Sequence, residues 1–128
     1  MSMQALEYIN NRLTEADINY HFARYIFSGD APVYPYSVGT YNEQEAESED
    51  GLQETTFTVS SWTRGEWLEL EQTKAKIKAL FPPAGGTTAI LPGGTGVAVT
   101  YLRTQTIPTG DDELKRIDTT LNVQEWSE

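Results

Sequence analysis

Cysteine is absent from this chain. Disulfides and thiolate metal sites are therefore excluded, and no oxidising compartment is implied. Long apolar runs are also missing, so no window reaches the length needed to span a bilayer. The first residues, Met1-Ser2-Met3-Gln4-Ala5, have neither a basic region nor an apolar stretch, and no signal peptide is expected. These absences lead us to expect a soluble intracellular product, or one released by lysis. Basic residues are scarce: nine Lys and Arg stand against nineteen Asp and Glu, for a formal charge of −10. Such a chain repels DNA and anionic membranes unless its few cations cluster on one face. It still suits a surface past which DNA slides without sticking, although solubility alone also accounts for the balance. Histidine occurs once, at His21.

What remains is enough for one domain over residues 1–128. A chain of this size buries roughly two-thirds of its unfolded surface and needs no covalent staples. Leu6, Ile9, Leu13 and Ala16 recur at helical spacing and predict a helix over about 3–16. Ile18, Tyr20 and Phe22 alternate as in a strand, though a helical continuation to Ile26 would also bury them. Ser28-Gly29-Asp30, Pro32 and Pro35 enforce a loop. Two extended segments follow, roughly 36–42 and 53–63, which pair as a long hairpin around a polar tongue. After the Arg64-Gly65 break, Trp67, Leu70, Thr73, Ile77 and Phe81 form one stripe of a second helix, widened by Leu68 and Leu80 and stopped by Pro82-Pro83. Three strands complete the chain, near 87–91, 97–107 and 117–126, the last two antiparallel by default. The expected class is α+β, a mostly antiparallel sheet with two helices on one face and a long acidic hairpin arm.

That arm is the most unusual segment. Glu43, Glu45, Glu47, Glu49, Asp50 and Glu54 bring six carboxylates with no Lys or Arg between them. Asp50-Gly51 supplies a turn, but the spacing of a calcium-binding loop is missing. The segment is either a solvated hairpin tip or an arm that orders against a neighbouring subunit. His21 stands between two aromatics with no Ser or Asp at recognisable triad spacing, and reads as a packed or surface residue. Gly93-Gly94-Thr95-Gly96 lacks the Lys-Ser/Thr of a phosphate loop and precedes a strand, so it reads as a hairpin turn. Trp67 is most simply core. Trp62 has the opposite parity to Phe57 and Val59; it either faces outward as an interface anchor or packs at the strand end. No catalytic, cofactor or metal constellation emerges.

Several short strings, taken together, resemble a known group. They are the amino-terminal helix, Pro35-Tyr36-Ser37-Val38-Gly39 before the acidic excursion, Thr56-Phe57-Thr58-Val59-Ser60-Ser61-Trp62 before a helix, and the closing Asp118-Thr119-Thr120-Leu121-Asn122-Val123. This arrangement resembles the tail-terminator and tail-completion proteins of long-tailed bacteriophages, small α+β domains of the head–tail junction. The resemblance implies a non-enzymatic virion protein, assembled in the bacterial host cytoplasm and forming a ring, commonly a hexamer. Such a ring caps the tail tube, meets the head connector and lets DNA pass without specific binding; no membrane is involved. It also implies a hairpin that orders on oligomerisation, in the position of Glu43–Glu54. Carboxylates reaching a neighbour need cations there, and Lys74, Lys76, Lys78, Arg103, Lys115 and Arg116 are the candidates. Two other readings stay open: another head–tail connector or neck component, and a small-molecule-binding or hydrolytic domain with a pocket around Tyr20, His21 and Phe22.

Overall fold

The computed structural model describes residues 1–27, 29, 32–43 and 53–127. The carboxylates at 45, 47, 49 and 50 lie outside the described residues. The element order is α1 (Met3–Glu15), β1 (Tyr20–Phe22), β2 (Tyr36–Glu43), β3 (Gln53–Thr63), α2 (Trp67–Leu80), β4 (Thr87–Ile90), β5 (Thr95–Thr106) and β6 (Lys115–Ser127). The strands form one sheet in the order β1-β2-β3-β6-β5-β4. All neighbours are antiparallel except β1 and β2, which run parallel. The expected α+β architecture is therefore present.

Helix α1 begins where the Ser2 hydroxyl accepts the Ala5 N–H at 3.1 Å, an N-cap bond. A second anchor comes from β6, where the buried Glu125 carboxylate accepts the Ser2 N–H at 3.1 Å and the Ser2 hydroxyl at 2.5 Å. Asn10, Asn11 and Thr14 each cost a few tenths of a kcal/mol in helix propensity, whereas burying Ile9 or Leu13 is worth roughly 1.5–3 kcal/mol. Packing therefore wins, and Ala5, Ile9 and Leu13 are fully buried. The helix stops at Ala16; Asp17 then takes a positive φ of 59°. A second positive φ, 70° at Ala23, ends β1. These two reversals explain why the strand between them has only three residues, when a longer element to Ile26 was conceivable.

Helix α2 starts at a capping box in which the Glu66 N–H donates to the Glu69 carboxylate at 2.9 Å. Leu70, Thr73 and Ile77 face the sheet, and Phe81 closes the helix fully buried. Trp67 departs from the sequence expectation: it is 45% exposed, and Leu68 is 64% exposed. The stripe runs from Leu70 to Phe81, because Trp67 occupies the first helical position, a turn before the helix settles on the sheet.

Both helices share one core. Ile9, Leu13, Ile77 and Phe81 pack with Phe57, Val59, Val97, Val99, Leu121 and Val123. Alternation along the strands places the odd-numbered residues of β3 and β6 on this helix face and the even-numbered ones on the outer face. Gly39 is where the core crosses β2 most tightly. A Cβ there would lie 2.2 Å from the Tyr20 hydroxyl and 2.8 Å from Phe57 Cζ. The Pro92-Gly93-Gly94 turn joins β4 to β5 as expected, with φ of 95° and 92° at the two glycines.

Candidate functional site

Among the described residues the outer face of the sheet carries no helix, and one end of it is aromatic. The register sets Tyr36 opposite Trp62 and Trp62 opposite Arg116, so three large side chains from β2, β3 and β6 lie side by side. The Tyr36 and Trp62 rings stack at 5.1 Å with 23° between their planes. The Arg116 guanidinium sits 5.1 Å from the Trp62 ring centre. On the other side, Tyr25 lies 4.9 Å from Tyr36, and His21 stacks on Tyr25 at 4.2 Å and 11°. The stack therefore runs His21, Tyr25, Tyr36, Trp62, Arg116 across four elements. Each aromatic pair contributes about 0.5–1.5 kcal/mol beyond area burial, and an exposed cation–π contact about 0.5–1 kcal/mol. Burial pushes the Tyr36 phenol up, with Tyr34 and Tyr25 adding to the shift.

Arg116 is held in place before any partner arrives. Its Nε donates to Asp118 Oδ1 at 2.9 Å and a terminal nitrogen donates to Oδ2 at 3.1 Å. The bidentate pair cancels the charge of both groups, so this face offers stacking surface more than net charge. A similar pairing rims it. Arg64 donates to Asp111 at 3.1 Å, and hydrogen bonds to Tyr34 and Asp111 push its guanidinium up. Asp111 is held below the ordinary carboxylate range, first by the Glu113 N–H and then by Arg64.

The sequence candidates divide among several places. Trp62 faces outward and is half-buried in the stack with Tyr36. Lys74 pairs with Glu71 at 2.5 Å, one turn away on α2, and this bond pushes its ammonium up. Lys76 donates to the Asp17 carbonyl at 2.9 Å, Lys115 to the Gly65 carbonyl at 2.8 Å, and Lys78 lies 5.1 Å from the Tyr101 ring centre. Arg103 is exposed on β5, directly after a register irregularity at Tyr101 and Arg103. Its side chain makes no hydrogen bond or ion pair with a described residue. Glu43 ends β2 and pairs with the Met1 ammonium; Glu54 accepts from Gln124 at 2.9 Å. The cations proposed for a neighbour's arm are therefore mostly engaged within the subunit; Lys78, Arg103 and Lys115 lack a carboxylate among the described residues, and Lys115 is held instead by the Gly65 carbonyl.

Tyr20, His21 and Phe22 do not converge on a pocket. Consecutive strand residues point to opposite faces, so Tyr20 and Phe22 turn to the helix side and His21 to the outer side. Tyr20 donates to the Asn10 side chain at 2.5 Å, while His21 Nε2 lies 2.7 Å from Asn19 Oδ1. An open groove of about 490 Å³ lies instead between Trp67 and the β5–β6 connection, lined by Pro108, Asp111, Asp112 and Leu114. Among the described residues no set of three or more His, Asp or Glu side chains converges as metal ligands.

No protein-family model and no curated protein sequence matches this chain. Among solved structures, it is similar to a chain from the virion of a native gene transfer agent particle. The TM-score is 0.67 at 16% sequence identity, and the match covers 98% of this chain and 96% of that one. At that identity the likeness is one of fold, and it extends over both helices and the whole sheet.

Proposed function

We propose that this protein is a non-enzymatic structural component of a phage or prophage virion, working as a ring that terminates the tail tube and joins it to the head connector. The observation that carries the reading is the near-complete fold likeness to a chain of an assembled virion, at a TM-score of 0.67 over 98% of the sequence. Two further features agree with it. The paired charges and aromatic stack of the outer face form a built, uncharged surface of the kind that anchors protein contacts. Among the described residues, the partners of His21, the single histidine, are the Asn19 amide oxygen and the Tyr25 ring.

In this reading the chain works by association. A closed ring uses one heterologous contact repeated around an axis. About six subunits of charge −10 give a ring near −60, which lets DNA through without holding it. The carboxylates of the arm reach a cation of the neighbouring subunit, for which Arg103 and Lys78 are the best placed. The partners are then other copies of the chain, the tail tube protein and the head-completion protein.

The test is reconstitution with purified tail tubes and separately with head connectors, followed by negative-stain microscopy. Rings seated on tube ends support the terminator role. Rings that bind connectors and ignore tubes assign the chain to the neck instead, and binding to neither defeats both placements.

A further inference from the structure

Among the described residues, each edge of the sheet is covered over only part of its length, and the covered parts are complementary. On one edge β1 lies beside Ser37–Gly39 of β2 and stops, while β2 continues through Thr40–Glu43. On the other edge β4 lies beside Gly96–Val99 of β5. Below it the Phe81 carbonyl accepts the Tyr101 N–H at 3.0 Å, and Arg103–Thr106 then run on with no described strand on the side away from β6. Following the register across the sheet, Tyr20, Ser37, Ser61, Ile117 and Thr106 fall in one row. Phe22, Gly39, Val59, Thr119 and Thr104 fall in another. The rows that β1 occupies on its edge are therefore the rows left open on the opposite edge. Two copies set edge to edge in one orientation bring β1 of the second into the column of β4 of the first, in rows that β4 does not occupy.

We propose that β1 of one copy pairs antiparallel with Arg103–Thr106 of β5 of the next, so that the sheet continues across the subunit boundary. The strand directions require this sense, since β1 runs with β2 and β6 while β5 runs against them. Backbone valence fits as well. The Ile107 N–H turns inward to the Arg116 carbonyl at 3.0 Å, so alternation directs Thr104 and Thr106 outward. Ala23 donates to the Gly39 carbonyl at 2.8 Å and Ser37 to the Asn19 carbonyl at 2.8 Å, which sets Ala23 and Asn19 inward and leaves the Tyr20 carbonyl and Phe22 N–H outward. Tyr20 then faces Thr106, and Phe22 faces Thr104. Apolar side chains flank the junction on both sides: Phe22 is 37% and Tyr41 43% exposed on one edge, and Leu102 is 50% exposed on the other. A head-to-tail contact of this kind is what a ring repeats, and the inference rests on the ring reading.

The absence of cysteine makes disulfide mapping clean. In this register His21 and Gln105 face each other as a non-hydrogen-bonded pair on the outer face, at a Cα separation of about 4.5 Å that a disulfide spans. A chain carrying His21→Cys and Gln105→Cys should give a ladder of covalent multimers on mild oxidation, and each single variant should stay monomeric on a denaturing gel. Thr106→Pro is the second test. It removes one outward N–H, and proline is tolerated where an edge strand faces solvent. It should leave the monomer folded by circular dichroism and abolish the multimer seen by light scattering. Multimers that form in the unsubstituted chain without cross-linking in the double variant, or that survive Thr106→Pro, overturn the edge pairing and leave the ring reading standing. A chain that forms no multimer even when tail tubes are added overturns both.

Discussion

Replacing Gly39 by alanine probes how the core of this fold closes over β2. The backbone does not forbid the substitution, since Gly39 is not among the residues with positive φ. Space does. The added methyl would meet the Tyr20 hydroxyl at 2.2 Å and Phe57 at 2.8 and 2.9 Å. Phe57 is fully buried, and the Tyr20 hydroxyl is tied to Asn10 of α1, so neither side chain has a free direction of retreat. Overpacking of this kind costs about 1–3 kcal/mol, and loss of the Tyr20–Asn10 hydrogen bond adds about 1 kcal/mol. The lower chain entropy of unfolded alanine returns about 0.5–1 kcal/mol. The net is a destabilisation of about 2 kcal/mol, or a fall in Tm of about 6–9 °C for a chain of this length. Urea denaturation with an unchanged m-value reads it directly. The Tyr20→Phe background isolates the cause: with the hydroxyl gone, Gly39→Ala should cost about 1 kcal/mol less. A neutral Gly39→Ala, or an equal cost in both backgrounds, refutes the steric account.

Further outcomes follow from the same contacts. Trp62→Ala removes one aromatic stack and one cation–π contact and should lower monomer stability by about 1–2 kcal/mol without unfolding the chain, as read by denaturation and near-ultraviolet circular dichroism. Glu125→Ala leaves the Ser2 amide and hydroxyl without their acceptor; it should cost about 2–3 kcal/mol and speed hydrogen exchange at the start of α1. Burial holds the Tyr20 phenol well above its ordinary value of about 10, whereas the unfolded phenol ionises there. Its contribution is therefore fully present below about pH 10 and declines as pH rises toward the folded-state value, a decline that Tyr20→Phe should flatten in alkaline denaturation curves. Charge reversal by Glu45→Lys, Glu47→Lys and Glu49→Lys together should weaken assembly in sedimentation experiments with the monomer fold intact; unchanged assembly removes the arm from the mechanism.

Sequence pattern revealed the elements better than their partners. The long hairpin strand β3 and helix α1 could be placed almost to the residue, because alternation from Thr55 to Val59 and the Ile9–Leu13 spacing are local signals. Strand β1 was only half legible. Its three residues gain their strand character from parallel pairing with Ser37–Gly39, a contact between distant segments that no local period encodes. Trp67 misled for a related reason: helical periodicity identifies a stripe, whereas where along that stripe the helix meets the sheet depends on tertiary packing. The outward parity of Trp62 could be read, but its neighbours Tyr36 and Arg116 could not, since they are set by register across β2, β3 and β6. The lysines show the same limit. Lys74 looked available for a neighbour, yet Glu71 stands at the i−3 position and takes it. Glu125 gave no signal at all, because a buried carboxylate at a strand end is explained only by the helix start it holds.

The most direct test of the central claim is native mass spectrometry across a concentration series, at low and moderate salt, with and without tail tubes as template. The ring account predicts a closed species of about six copies, near 86 kDa from subunits of 14.3 kDa. A 14.3 kDa monomer at every concentration, unchanged when tail tubes are added, would contradict it.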